Sequence, residues 1–231
     1  MKNSWFVSIL ILLAAGCVSI KPKEVTRNAS HLTMETNHPG DRFLLARENT
    51  TMSGFVLFKA ALDIKKHHLS GLLIIKRMDS TEGPGISELV VKPVYRIVFA
   101  NEIGMTFFDL ELRFDGLKVI SCFESLNKKV LLNIFETDFR LLTGTNPVTS
   151  RDFYIQLPTN NQVVAGKTGK YKTWQTFSPS GDTLYKTSGK STIADAVFIS
   201  YQDYSHGFPT RIFVENPFIG MKLSLRLLDR K

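Results

Sequence analysis

From Gly54 onward, apolar residues recur with a period of two, the pattern of strands that bury one face. Phe58, Ala60, Leu62 and Ile64 alternate with Lys59, Ala61, Asp63 and Lys65. After the polar turn Lys65-Lys66-His67-His68, the run from Leu69 to Lys76 predicts a second strand pairing back on the first. Ser80 to Gly85 reads as a loop, and Leu89 to Ala100 as a long third strand in which Pro93 indicates an edge or a bulge. Met105 to Phe114 puts Phe108, Leu110, Leu112 and Phe114 on one face, with Asp109, Glu111 and Arg113 on the other. Asp115-Gly116 then supplies a tight turn, and Leu117 to Phe123 returns.

Between Asn127 and Gly144 the period becomes helical, with Val130, Leu131, Ile134, Phe135, Phe139 and Leu142 on one stripe. Asn127 is expected to cap this helix and Gly144 to stop it. Strands resume at Phe153 to Leu157, Lys170 to Phe177, Thr183 to Ser188, Ala196 to Tyr201, Thr210 to Val214 and Met221 to Leu228. The pattern therefore predicts a mainly β (α+β) fold: a curled antiparallel sheet or half-barrel of about ten strands, with one main helix covering its concave face. Residues 53–231 form this single β-rich domain, large enough to bury a core.

The chain ahead of the domain has a different texture. Lys2 gives a positive start, Trp5 to Leu13 an apolar run, and Ala14-Ala15-Gly16 small residues before Cys17, so residues 1–16 read as a secretory signal peptide. The apolar run falls short of the ~20 residues that span a bilayer. Leu13-Ala14-Ala15-Gly16-Cys17 resembles the lipobox of bacterial lipoproteins. That resemblance implies diacylglycerol on the Cys17 sulfur, cleavage just before it and further acyl chains such as palmitate. Leucine normally stands three places before the cysteine, where this sequence has Ala14. An ordinary signal-peptidase site at Ala14-x-Gly16, releasing a soluble protein that begins with a bare Cys17, is the competing reading. An exported protein rarely keeps an unpaired thiol at the cut position, which favours lipidation. Residues 17–52 are then a lipid anchor and a flexible polar tether. Val18, rather than aspartate, after the cysteine favours the outer membrane, and the lack of an acidic cluster close behind the cysteine favours the face toward the periplasm.

Strands, one amphipathic helix in mid-chain, more strands, and a closing Gly207-Phe208-Pro209-Thr210-Arg211-Ile212 followed by Met221-Lys222-Leu223-Ser224-Leu225 resemble the lipoprotein-localisation proteins LolA and LolB. The resemblance lies in the order of elements across residues 54 to 228 and in no specific motif. It implies an open half-barrel whose cavity holds acyl chains. The carriers place several short helices in that cavity, whereas one long helix is legible here.

Composition narrows the chemistry. A formal charge of +8 suits an anionic partner. Cys17 and Cys122 are the two cysteines, so once Cys17 is acylated Cys122 has no intrachain partner and the fold stands on its core. Gly166-Lys167-Thr168 and Gly189-Lys190-Ser191 echo the end of a phosphate-binding loop, but neither has the earlier glycine or a following helix, and both read as hairpin turns. Adjacent His67 and His68 point to opposite faces of an extended strand, with Asp63 expected ~13 Å along the strand from His67, so the pair reads as a solvated turn rather than a metal site. His31, His38 and His206 are scattered, and Asp109 with Glu111 reads as a polar strand face rather than an acid and base pair. No catalytic or metal site is legible, and neither enzyme activity nor a cofactor is expected.

Lys167, Lys170, Lys172, Lys186 and Lys190 gather around one hairpin with Tyr171, Trp174 and Tyr185. Export argues against nucleic acid as the partner. Anionic headgroups and simple protection of an edge hairpin from aggregation are both open. The first expectation for function is a non-enzymatic, membrane-tethered binding protein whose interior, lined by Phe108, Leu110, Leu112, Phe114, Leu131 and Phe135, takes an acyl chain, a lipoprotein acyl group or another apolar ligand. The alternative is a subunit of an envelope assembly, with a filled core and a protein partner. Two or three acyl chains anchor a protein essentially for good. Intact mass from the native membrane should therefore show acyl mass on Cys17, and Cys17→Ser should release the domain; an unchanged attachment of that variant would contradict lipidation.

Overall fold

The computed structural model describes residues 25–26, 54–82, 90–144, 150–156, 159–168, 171–190 and 196–230. Cys17, the signal segment, the tether apart from Val25–Thr26, Lys170 and Ser191 lie outside the described residues. Thirteen described strands and one helix follow in order: β1 (Val25–Thr26), β2 (Phe55–Ile64), β3 (His67–Glu82), β4 (Val90–Ala100), β5 (Thr106–Arg113), β6 (Gly116–Cys122), α1 (Lys129–Thr143), β7 (Ser150–Gln156), β8 (Asn161–Thr168), β9 (Tyr171–Phe177), β10 (Leu184–Lys190), β11 (Ala196–Ser205), β12 (Phe208–Asn216) and β13 (Met221–Arg230).

All the strands belong to one sheet, in the order β1-β7-β8-β9-β10-β11-β12-β13-β2-β3-β4-β5-β6, with sequential neighbours pairing antiparallel. The one long-range join within the sheet's centre is β13 against β2, from Met221 opposite Ile64 to Arg230 opposite Val56. Two meanders are thus zipped together by the last strand and the first long one. The chain between them leaves β6 at one end of the sheet and enters β7 near the other, and α1 lies in that connection.

The sheet must curl, as two helix contacts show. Phe135 on α1 packs its ring 5.3 Å from Phe108 on β5. Leu141, six residues later, has Cδ1 2.9 Å from where a side chain on Gly189 of β10 would begin. In a flat sheet β5 and β10, seven strand spacings apart in this order, would be separated by ~34 Å; along the helix, six residues advance only ~9 Å. Register shifts at Phe99/Ala100, Asp109/Leu110, Leu184/Lys186 and Leu227/Asp229 supply places where strands bend and twist more strongly. The result is a half-barrel with α1 in its concave face.

The alternating pattern produces the core directly. On β2, Val56, Phe58, Ala60, Leu62 and Ile64 are buried, and Ile212, Val214, Met221, Leu223 and Leu225 meet them from β12 and β13. Pro93 sits inside β4, but β5 pairs with β4 only from Tyr95 onward, so the missing N–H at Pro93 costs no ladder bond on that side.

Several expectations need correction. Asn161 to Thr168 forms a strand, β8, rather than loop and turn; consecutive Val163 and Val164 are both buried, which erases the alternation that reveals a strand. Thr168 pairs with Tyr171, so Gly166-Lys167-Thr168 is strand end, as is Gly189-Lys190. Val25–Thr26, within the stretch read as tether, pairs with β7. Finally, Asp63 faces His68 across the β2–β3 hairpin, with Oδ1 2.5 Å from Nδ1, because the turn is Lys65-Lys66 alone and His67 and His68 belong to β3, opposite Ile64 and Asp63.

Gly71 on β3 has no room for a side chain: a Cβ there would lie 2.0 Å from the Ala100 carbonyl oxygen, where the chain leaves β4. Since backbone cannot yield cheaply, Gly71→Ala should destabilise the domain by about 2–4 kcal/mol, read as an earlier denaturation midpoint. A midpoint unchanged from the parent would contradict this close approach.

Candidate functional site

The concave face is the natural place to look, because α1 and the strands meet there along an apolar seam. Gly144 ends the helix as expected, in the left-handed conformation (φ 68°) with its N–H donating to the Arg140 carbonyl. The start differs from expectation: Lys128, in an extended conformation, is the N-cap and no side chain caps it, while the Asn127 N–H bonds back to the Phe123 carbonyl. Leu131, Ile134, Phe135, Asp138, Phe139, Leu141, Leu142 and Thr143 are buried; Val130 is not.

Phe108 is the hub of the seam. Its ring lies 5.5 Å from Phe99 on the neighbouring strand, 5.3 Å from Phe135 and 6.1 Å from Phe139 on the helix. Behind these rings a void of about 10 Å³ is bounded by Leu62, Phe108, Phe135, Asp138, Phe139, Leu142, Val214, Met221 and Leu223. That is room for about one water molecule, against roughly 300 Å³ or more in a preformed ligand pocket. The helix itself fills the concavity.

Of the six residues expected to line an interior, Phe108 and Phe135 border the void, and Leu110, Leu112 and Leu131 are buried in the surrounding core. Phe114 does not join them and is 60% exposed. The turn comes one residue earlier than expected, at Phe114-Asp115 between the paired Arg113 and Gly116, so the alternation stops before Phe114 could turn inward.

Asp138 escaped the sequence analysis. It is 4% exposed and is the one polar residue bordering the void. The signal was present in the spacing: Asp138 stands three residues after Phe135 and four before Leu142, on the row of the helix that faces the sheet. A carboxylate there costs desolvation that a leucine would not.

The remaining candidates are occupied structurally. Asp109 accepts two hydrogen bonds from the Arg96 guanidinium, at 2.5 and 2.6 Å, and Glu111 pairs with Arg113. These carboxylates are held by arginines on the convex side. Burial pushes the Cys122 thiol up, away from the reactive thiolate. Among the described residues, no group of three or more His, Cys, Asp or Glu side chains is arranged to hold a metal.

No protein-family model matches the chain, and no curated protein does. Among solved structures, one similar chain is a domain described as an outer membrane lipoprotein-sorting protein from Vibrio parahaemolyticus, with 10% identity and a TM-score of 0.44, covering 78% of this chain and 84% of that one. Another is a DUF1329 family protein from Desulfovibrio piger, with 8% identity and a TM-score of 0.47, covering 79% of this chain and 86% of that one.

Truncating the hub tests the seam. Phe108→Ala should cost about 3–5 kcal/mol in chemical denaturation, through lost burial and the cavity left between β5 and α1. A loss below about 1 kcal/mol would show that the ring contacts do not hold the helix in place.

Proposed function

We propose that the protein is a non-enzymatic lipoprotein of the cell envelope, anchored through acylated Cys17, that receives an acyl chain or comparable apolar group in the concave face of its half-barrel. The supporting observation is that the concave face is closed by a helix and not by further strands. Leu62, Phe108, Val214, Met221 and Leu223 would all face an open apolar trough if α1 moved aside. A helix is a separable cover because its backbone hydrogen bonds are internal, so it can shift without breaking a sheet ladder. Ligand entry then exchanges helix contacts for ligand contacts, and the void of about 10 Å³ is the closed state of the site.

The same small void supports a second reading, an envelope subunit whose core stays filled and whose surface meets a protein partner. The two differ in whether α1 must move. Leu141 on the helix reaches Gly189 on β10, so Leu141→Cys with Gly189→Cys, in a Cys122→Ser background, puts a thiol on each side of this contact, and the fraction that mass spectrometry shows to be joined on oxidation has the helix pinned to the sheet. Oxidised, this variant should lose binding of a fluorescent fatty acid at least tenfold, and reduction should restore it. Equal binding in both redox states, or no binding by the parent, would favour the filled-core reading.

A further inference from the structure

The lysine cluster takes on a definite form in the sheet. Lys167 on β8 lies directly opposite Lys172 on β9, and Lys172 directly opposite Lys190 on β10. By register the backbone positions of three lysines therefore stand in one row across three neighbouring strands, spaced by ~4.8 Å per strand. Ser150 and Ala196 occupy the next register positions on either side, so the sequence puts no carboxylate in the row. Two positions along, the register row reads Asp152, Ala165, Trp174, Ser188, Phe198 and Glu215, with its acidic positions at the two ends. Lys172 is exposed and Lys190 half-buried, and neither has an ion-pair partner among the described residues. Lys186 shares the face, with its ammonium 5.1 Å above the Phe198 ring.

Like charges directly opposite one another weaken a sheet. Lysines on a free edge are tolerated because they block strand-to-strand aggregation. That explanation does not apply here, because β8, β9 and β10 are each paired on both sides. The row lies on the convex surface: Gly189 faces Leu141 and the interior, so its neighbour Lys190 faces outward. A single phosphate would call for a concave site. A straight cationic row on the outside of a sheet instead matches an extended anionic surface.

We propose that this row docks the domain on an anionic bilayer, with lipid phosphates as its counter-charges, fixing the orientation of the tethered domain. The proposal rests on the anchored reading above for its setting, but the two fail separately. Full-length protein is reconstituted with vesicles of phosphatidylcholine alone, or of phosphatidylcholine with phosphatidylglycerol, and acetylation of Lys172, Lys186 and Lys190 by a water-soluble reagent is followed by mass spectrometry. Several-fold slower modification on the anionic vesicles, reversed in about 0.5 M salt, is expected. Equal rates on both vesicles would overturn the docking surface and leave the anchor standing. Attachment to anionic vesicles alone would support the row and overturn the anchor, and attachment to neither would overturn both. Slowing reproduced by millimolar inorganic phosphate without vesicles would assign the row to a soluble anion instead and overturn the proposal. The Lys172→Gln/Lys190→Gln variant should lose the lipid-dependent slowing at Lys186 with an unchanged or higher melting temperature; a lower one would make the row part of the fold and count against docking.

Discussion

The packing of one face of α1 against the concave side of a single sheet is the contact on which the rest of the molecule depends. A sheet of thirteen strands with one apolar face has to bury that face, and among the described residues β1 and β6 at its two ends do not pair with each other. A helix inserted between the two meanders solves the problem once, because the chain must in any case travel from β6 to β7. Phe135 and Phe139 reach Phe108 on one flank and Leu141 reaches Gly189 on the other, so the helix draws distant strands around itself. Curl, core and candidate site are thus the same set of contacts.

This arrangement explains why the interior is both apolar and nearly full. The ladder bonds lie within the sheet and the helical bonds within the helix, so the interface between them is held mainly by side-chain packing, with the Arg140 guanidinium donating to the Arg113 carbonyl at the end of β5. Such an interface can open without unpairing a strand. Asp138 lies on the helix row at that interface, where apolar neighbours predominate. On the opposite surface, Asp109 and Arg96 tie β4 to β5, and Lys172 and Lys190 are left without an ion-pair partner among the described residues.

Much of the fold was legible because burial on one face leaves a period of two, and burial on one stripe leaves a helical one. The β2–β3 and β5–β6 hairpins, the helix and its stop at Gly144 all followed from that rule. What escaped it had a physical reason in each case. Val163 and Val164 are buried on opposite faces of β8, so no alternation marks the strand. Phe114 continues the apolar parity of β5 but falls in the turn, and parity says nothing about where a strand stops. Asp63 meets His68, and Lys167, Lys172 and Lys190 form a row, only through pairing between strands, which distance along the chain does not reveal. Asp138 was discoverable from helical spacing, yet a charged residue on an apolar row reads as a break in the pattern instead of as part of the site.

Whether α1 is a fixed part of the core or a movable cover is decided most directly by hydrogen exchange with and without a fatty acid. If the helix opens to admit the ligand, its amides from Leu131 to Leu142 should lose protection on binding while those of β2, β12 and β13 keep theirs. Loss of protection in helix and strands together, or no change in either, would contradict the claim that this contact is the hinge of the protein's function.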